Sequence, residues 1–396
     1  MKKTTRREFL AAGIAGAAFL CIPDAAGAFD LWGAAPSRAP GPADITGRVF
    51  KNSAPKTPWK WSKEGFDYIR HPDRSATCVI CPHECRLSPG DRGLCRSRVN
   101  IDGTLYSLAY GNPCSVNVDP VEKKPLFHFL PRTTAFSIAA AGCNFRCLNC
   151  QNWEISQTTP EQLRHYELFP DGVVQAAVQA RAASVAYTYS EAITFFEYMH
   201  DTARLSKAEG LRNLLVSNGY INEAPLLFLC DVLDGANINL KSFDDGLYRR
   251  LNGGSLAPVL ATLKILRRRN VHLEVTHLVV PGYTDDEPLF KRMCAWILDA
   301  LGPDPPLHLL RFFPQYRLDR LAPTPVDTLT RFRDIALAAG IRYVYVGNVP
   351  DHEGVHTWCH HCKKLLIRRQ GYVISLPGLQ DGKCAFCGTA IPGVWA

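Results

Sequence analysis

The chain has 396 residues, is 46% hydrophobic and 21% charged, and carries a formal net charge of +8. This is an ordinary globular composition, sufficient for one large core with appended modules. Outside the N-terminus no run of about 18 apolar residues exists, which excludes a polytopic membrane protein. Lys2, Lys3, Arg6 and Arg7 outweigh Glu8 and Asp24, leaving +6 for the remainder. No dense Lys/Arg block with interleaved aromatics marks a surface for nucleic acid.

Residues 1–28 read as a targeting segment. Thr5-Arg6-Arg7-Glu8-Phe9-Leu10 carries a twin arginine, Ala11–Ile22 is apolar, and Ala26-Gly27-Ala28 offers a small-residue cleavage site. The pattern resembles a bacterial Tat-type signal, which implies export in a folded state, a cofactor assembled beforehand, and a periplasmic location. A retained segment on the cytoplasmic face is the alternative. Residues 29–58, rich in Ala, Pro and Ser, read as a flexible linker.

Fifteen cysteines in an exported chain suggest disulfides, yet most fall at metal-ligand intervals. In the Cys-rich module at 59–133, Cys78, Cys81, Cys85 and Cys95 follow the spacing Cys-x2-Cys-x3-Cys-x9-Cys. Four thiols suffice for a closed zinc site; a second iron–sulfur cluster and disulfide pairing are the alternatives. Pro82, Pro89, Gly90 and Gly93 place these ligands on loops.

From 134 to 350 strand and helix patterns alternate. Strands are expected at Ala135–Ala140, Ser184–Tyr189, Asn213–Ser217, Ala236–Leu240, His272–Val280, Leu307–Phe313 and Tyr343–Val346. Helices are expected near Asp171–Ala182, Ala192–Ala208, Ala257–Arg269, Glu287–Leu301 and Val326–Ala339. Repeated βα units with continuous apolar strands predict an α/β fold, a partial or near-closed (β/α) TIM-type barrel. Chemistry in such barrels gathers at the C-terminal ends of the strands. Directly after the first strand stand Cys143, Cys147 and Cys150, spaced Cys-x3-Cys-x2-Cys. Three soft thiolates suit one iron–sulfur cube and leave its fourth iron open; a zinc knuckle or buried thiols are the bland alternatives. In the last module, 351–396, Cys359-x2-Cys362 and Cys384-x2-Cys387 form a zinc-ribbon-like pattern, with rubredoxin-like iron as the runner-up.

The run Gly142-Cys143-Asn144-Phe145-Arg146-Cys147-Leu148-Asn149-Cys150 resembles the cluster loop of radical S-adenosylmethionine (SAM) enzymes. The resemblance implies a [4Fe–4S] cluster on the three cysteines, SAM on the open iron, reductive cleavage to a 5′-deoxyadenosyl radical, and hydrogen abstraction. It assigns the methionine amino group to Tyr189, Ser190 and Glu191. It places Ser217 and Asn218 by the ribose or carboxylate. It sets Asn239 where relatives carry Asp, with Lys241 beside the SAM carboxylate. Near the end of the sixth strand, Arg311 is the candidate catalytic residue, a carboxylate binder in the pocket. An electron donor of flavodoxin or ferredoxin type is implied as a partner.

Three further runs are distinctive: Cys81-Pro-His-Glu-Cys85-Arg-Leu, Asp119-Pro-Val-Glu-Lys-Lys-Pro-Leu-Phe-His128-Phe and Tyr345-Val-Gly-Asn348-Val-Pro. They resemble the radical SAM member of the AmmeMemoRadiSam system, related to pyruvate-formate-lyase activating enzymes. This implies Memo-like and Amme-type partner proteins. Two rivals stand beside it: a glycyl-radical-enzyme activase, and a non-catalytic exported iron–sulfur/zinc protein with Cys114 as a fourth cluster ligand.

Overall fold

The computed structural model describes residues 49–396. The Tat-type segment and most of the linker expected at 29–58 lie outside the described residues. Eight strands form the central sheet: β1 Ser115–Pro120, β2 Thr134–Ala139, β3 Ser184–Tyr187, β4 Arg212–Ser217, β5 Gly235–Asn239, β6 His272–Val279, β7 Leu307–Arg311 and β8 Val344–Gly347. Their order in space follows their order in the chain, and β1 and β8 are the two edges. Strands β2 to β8 pair in parallel. The sheet is thus a partial barrel, as the βα repeats predict.

Strand β1 was not expected. It runs antiparallel to β2, from Thr134↔Pro120 to Ala139↔Ser115, so the barrel sheet begins before the 59–133 module ends. Its Ser-Val-Asn-Val-Asp-Pro composition is too polar to read as a strand, and its middle residues are exposed. The segment after it turns inward. Val121, Leu126 and Phe129 pack against Ala135 of β2, Ala186 of β3 and Leu214 of β4. One plug thus packs against three neighbouring strands of the sheet.

Helices α1 Pro170–Gln179, α2 Phe196–Ala208, α3 Glu223–Cys230, α4 Asp245–Asn252, α5 Leu256–Arg268, α6 Glu287–Leu301 and α7 Val326–Ala339 accompany the parallel strands. The spans of α6 and α7 match the periodicity. Helices α3 and α4, of eight residues each, are too short to show a sustained helical period. The ends of α4 are nonetheless written in sequence. Asp244 accepts from Leu247 N at 2.6 Å, and Gly253 closes the helix at φ +77°.

At the N-terminal end of the barrel, Glu274 is fully buried. It accepts from Phe127 N at 2.9 Å and His128 N at 2.8 Å, and meets His272 Nε2 at 3.0 Å and His308 Nε2 at 2.5 Å. His308 is therefore a satisfied core histidine. Opposing the cost of burial, these donors hold the Glu274 carboxyl well below the usual carboxylate range. The network continues through His128 to Tyr345 Oη at 2.6 Å and Pro392 O at 2.6 Å, and from Tyr345 to Thr357 Oγ1 at 2.8 Å. Tyr343, Tyr345, Cys359, Leu366, Cys384 and Ile391 then share a small apolar cluster, so the C-terminal cysteine module sits under the barrel floor.

The N-terminal module is a five-stranded sheet with a three-stranded one beside it. Val49–Phe50 already pairs with Arg92–Gly93, so ordered structure begins inside the range read as linker. A buried bidentate pair, Arg98 to Glu197 of α2 at 2.7 and 2.8 Å, anchors this module to the barrel.

Candidate functional site: the loop after the first parallel strand

The chain leaves β2 and enters the loop carrying Cys143, Cys147 and Cys150. Gly142 opens it at φ +103°, where a Cβ would stand 2.3 Å from Cys95 O; only glycine allows that approach. Phe145 is completely buried, against Tyr220 at 5.0 Å and Tyr248 at 5.9 Å between ring centres. Gly254 makes the room, since a Cβ there would reach 2.2 Å from the Phe145 ring.

Three elements hold the loop backbone. The end of α4 accepts from it, Arg146 N to Asn252 O at 2.8 Å and Leu148 N to Leu251 O at 2.9 Å. The turn after β4 holds Asn144, whose Nδ2 donates to Tyr220 O at 2.9 Å and whose Oδ1 accepts from Asn218 Nδ2 at 2.7 Å. The N-terminal module adds His83 Nε2 on Asn144 O at 2.7 Å.

Polar donors also reach the sulfurs. Phe145 N donates to Cys143 Sγ at 3.3 Å and Asn252 Nδ2 to Cys147 Sγ at 3.3 Å. Burial, then the neighbouring Cys147, pushes the Cys150 thiol up to about 11, against the opposing charge of Lys241. Burial, then Glu191, Cys147 and Cys150, raises Cys143. Such thiols stay protonated until a cation is bound, and iron supplies that charge. Three soft donors on one buried loop, each sulfur within reach of the others' field, fit an iron–sulfur cube.

Beyond β3, Tyr189 adopts φ +65°, a conformation rare for a bulky side chain. Its carbonyl accepts from Asn152 Nδ2 at 2.6 Å, and Ser190 Oγ donates to Ala140 O at 2.6 Å. Glu191 is 1% exposed. Its carboxylate accepts from Ser217 Oγ at 2.7 Å, Asn218 N at 2.8 Å and Ile193 N at 3.2 Å. The radical SAM resemblance assigns this carboxylate to an incoming ammonium group. Three of its roughly four acceptor sites are spent internally, so it first joins the end of β3 to the end of β4 and caps the turn at 192–195. Asn239 Nδ2 donates to Ser217 O at 3.2 Å, and the charge of Lys241 faces both Glu191 and Cys150. The structure therefore gathers Glu191, Ser217, Asn218, Asn239 and Lys241 around the cysteine loop.

Arg311 is not drawn into that group: its Nε donates to Thr324 O at 2.8 Å and its guanidinium lies 5.1 Å from the Phe313 ring centre. Cys114 is not drawn in either. Its Sγ donates to Ala139 O at 3.4 Å, and burial pushes its thiol up to about 12. Sequence reasoning missed Asn144, Asn252 and Gly254, whose roles depend on contacts across the fold. Asn144 lies inside the cysteine motif, which was the one available signal for it.

At the other end of the molecule, Cys359, Cys362, Cys384 and Cys387 bring their sulfurs within 4.8 Å of one another. Cys359 and Cys387 are 3.7 Å apart, Cys362 and Cys384 3.6 Å. Four ligands at about 2.3 Å from one tetrahedral ion stand about 3.8 Å from each other, so this set fits a single metal.

The Radical SAM superfamily profile matches residues 137–292. An uncharacterized protein of Methanocaldococcus jannaschii is 41% identical over 333 residues, covering 83% of this chain and 98% of that protein. The pyruvate formate-lyase 1-activating enzyme of Escherichia coli K12 is 26% identical over 219 residues, 52% of this chain and 89% of that enzyme. Among solved structures, a radical SAM methyltransferase from Sphaerobacter thermophilus has 14% identity and a TM-score of 0.43, over 56% of this chain and 68% of its own. With a cysteine loop whose thiols fit a cube at the mouth of a parallel partial barrel, and with the Radical SAM superfamily profile across residues 137–292, this chain carries a radical SAM domain and is a radical SAM enzyme.

Proposed function

We propose that the enzyme binds SAM against a [4Fe–4S] cluster on Cys143, Cys147 and Cys150 and abstracts hydrogen from a substrate handled with Memo-like and Amme-type partner proteins. The observation that carries the reading is the convergence of Glu191, Ser217, Asn218 and Lys241 on the cysteine loop. When bound, the cluster and SAM supply one-electron cleavage of the sulfonium to a 5′-deoxyadenosyl radical. The protein's own share is positional. Glu191 fixes the Ser217–Asn218 turn, Lys241 offers a cation for the SAM carboxylate, and Asn218 and Asn252 orient the loop. A flavodoxin- or ferredoxin-type protein supplies the electron. The Tat-type motif at Thr5–Leu10 supports export after cofactor loading, and the C-terminal thiols are assigned to zinc.

The resemblance of the cysteine-rich module to the AmmeMemoRadiSam branch supports the partner assignment. A second reading, activation of a glycyl-radical enzyme, is favoured by the likeness to the Escherichia coli activating enzyme. Anaerobic reconstitution with dithionite and SAM is expected to release 5′-deoxyadenosine, and a Cys147→Ser variant none. A fully loaded cluster that yields no deoxyadenosine sinks the proposal. A glycyl radical signal on a partner protein selects the second reading.

A further inference from the structure

We propose that Asp119, on the antiparallel edge strand β1, is a positioning residue that acts through the Tyr189 side chain to hold the turn after β3 in the conformation that receives SAM. The clamp itself stands on the geometry of Asp119, Lys124 and Tyr189; its service to SAM rests on the proposed function.

Tyr189 stands at the centre of a tight turn. Ser190 N donates to Thr188 O at 3.0 Å across it, with Tyr189 at φ +65°. This is the rare, strained form of the γ-turn, and a bulky side chain persists in it only where its surroundings over-determine it. Two of the bonds that do so come from the cluster side. Asn152, two residues after Cys150, donates to Tyr189 O at 2.6 Å, and Ser190 Oγ donates to Ala140 O at 2.6 Å. A further one comes from β1, where the Tyr189 hydroxyl donates to Asp119 Oδ2.

The carboxylate that receives this hydroxyl is itself tied down. Asp119 stands opposite Ala135 of β2 and Asn117 opposite Ser137, on the face where Ala135 packs with Val121 and Leu126. Lys124, with 1% of its side chain exposed, brings its ammonium to 2.6 Å from Asp119 Oδ2 and 2.6 Å from Ser137 Oγ. Lys123 Nζ reaches Asp119 Oδ1 at 2.7 Å. The Lys123 and Lys124 ammonium groups lie over the Tyr189 ring, 5.9 and 5.0 Å from its centre, so the ring is also held by its face. Against burial, which raises it, the charge of Lys124 and the bonds from Lys123, Lys124 and Tyr189 hold the Asp119 carboxyl well below the usual carboxylate range. Burial, then Asp119, pushes the Tyr189 phenol up, which keeps it a donor.

Strain and clamp belong together. An untied tyrosine relaxes toward negative φ, and that rotation would turn the Tyr189 carbonyl off Asn152 and re-aim the backbone of Ser190 and Glu191. A glycine at this position would hold a positive φ at no steric cost and would need no clamp. Tyr189 needs one and carries the hydroxyl that engages it. The edge strand that the sequence hides thus has a task at the site: it places a carboxylate, neutralised by two lysines of the following segment, where Tyr189 can bond it.

The test uses the full chain, its cluster reconstituted anaerobically, as wild type, Tyr189→Phe, Tyr189→Gly, Asp119→Ala and the Tyr189→Gly/Asp119→Ala pair. SAM affinity is read from the response of the reduced cluster's paramagnetic resonance to added SAM, at matched iron per chain. The turn is read from hydrogen–deuterium exchange over residues 188–191 without SAM. Tyr189→Phe and Asp119→Ala are each expected to weaken SAM binding about tenfold and to speed exchange by a similar factor. Tyr189→Gly is expected to stay within about threefold of wild type in both readings, and adding Asp119→Ala to it is expected to change neither. Wild-type affinity and exchange in Tyr189→Phe overturn the clamp, even if Asp119→Ala fails to fold. A loss from Asp119→Ala as large in the Tyr189→Gly background as in wild type shows that Asp119 does not act through Tyr189, and overturns it too. Faster exchange in Tyr189→Phe with unchanged affinity overturns the service to SAM. A wild type without a SAM response sinks the proposed function, and exchange then decides the clamp by itself.

Discussion

The C-terminal thiols and the cluster loop use the same side chain for opposite structural purposes. Cys359, Cys362, Cys384 and Cys387 close on a point, with sulfurs 3.6 and 3.7 Å apart in pairs, on short strands whose small apolar cluster leans on Tyr343 and Tyr345 of the barrel floor. Cys143, Cys147 and Cys150 lie on a loop whose shape is imposed from outside, by Asn252, by Tyr220 and Asn218 acting on Asn144, by Gly254 and by the module at Cys95. The first site is formed by its own four thiols meeting at one point. The second takes its shape from its neighbours, and its three thiolates on a four-iron cube would leave one iron position for a ligand.

The largest effect that tests this contrast comes from replacing Cys359 and Cys384 by Ser. Loss of the ion removes most of the ~10 kcal/mol such a site contributes to local folding. Limited proteolysis should then release residues 351–396 while iron on the triplet remains. Equal protease resistance in variant and wild type would break the comparison.

Next in size is Glu274→Gln, which strikes the joint between floor and module without touching a thiol. Losing charge-assisted hydrogen bonds to two histidines and two amides is expected to cost about 3 kcal/mol in urea unfolding at pH 7. The sign with pH follows from the depressed carboxyl. Its stabilisation is complete above the unfolded value of about 4.3 and is lost as pH falls toward the folded one. Wild type should therefore lose more stability than the variant between pH 6 and pH 3, and parallel curves would refute the assignment. The smallest effect is expected from Gly254→Ala. A methyl driven at Phe145 costs about 2 kcal/mol and should lower iron and sulfide on the triplet while C-terminal metal content stays constant. Unchanged iron would show that the loop does not depend on Phe145.

Much of this was legible in the chain. The seven parallel strands, the long helices and all eleven clustered thiols stand out because period and spacing are local properties. Strand β1 was hidden because its pairing with β2 is non-local and its side chains are polar. The three hydrogen bonds of Glu191 were hidden for a similar reason. An acid before a helix reads identically whether it awaits a ligand or serves a strand 26 residues away. The missed residues Asn252 and Gly254 are ordinary in sequence and become specific only when α4 meets the cysteine loop.

The floor of the barrel has a bearing on the order in which the chain folds. Leu130 N donates to Val394 O at 2.7 Å and Val394 N to His128 O at 2.8 Å, and His128 bonds Pro392 across 264 positions. Closing a loop of that length draws on chain entropy before the contact returns anything. The plug and the last residues of the chain are thus expected to meet only after the intervening βα units are formed. The seal beneath the barrel is therefore expected to close late, with Phe129, which bridges to Val394, as the apolar surface it covers.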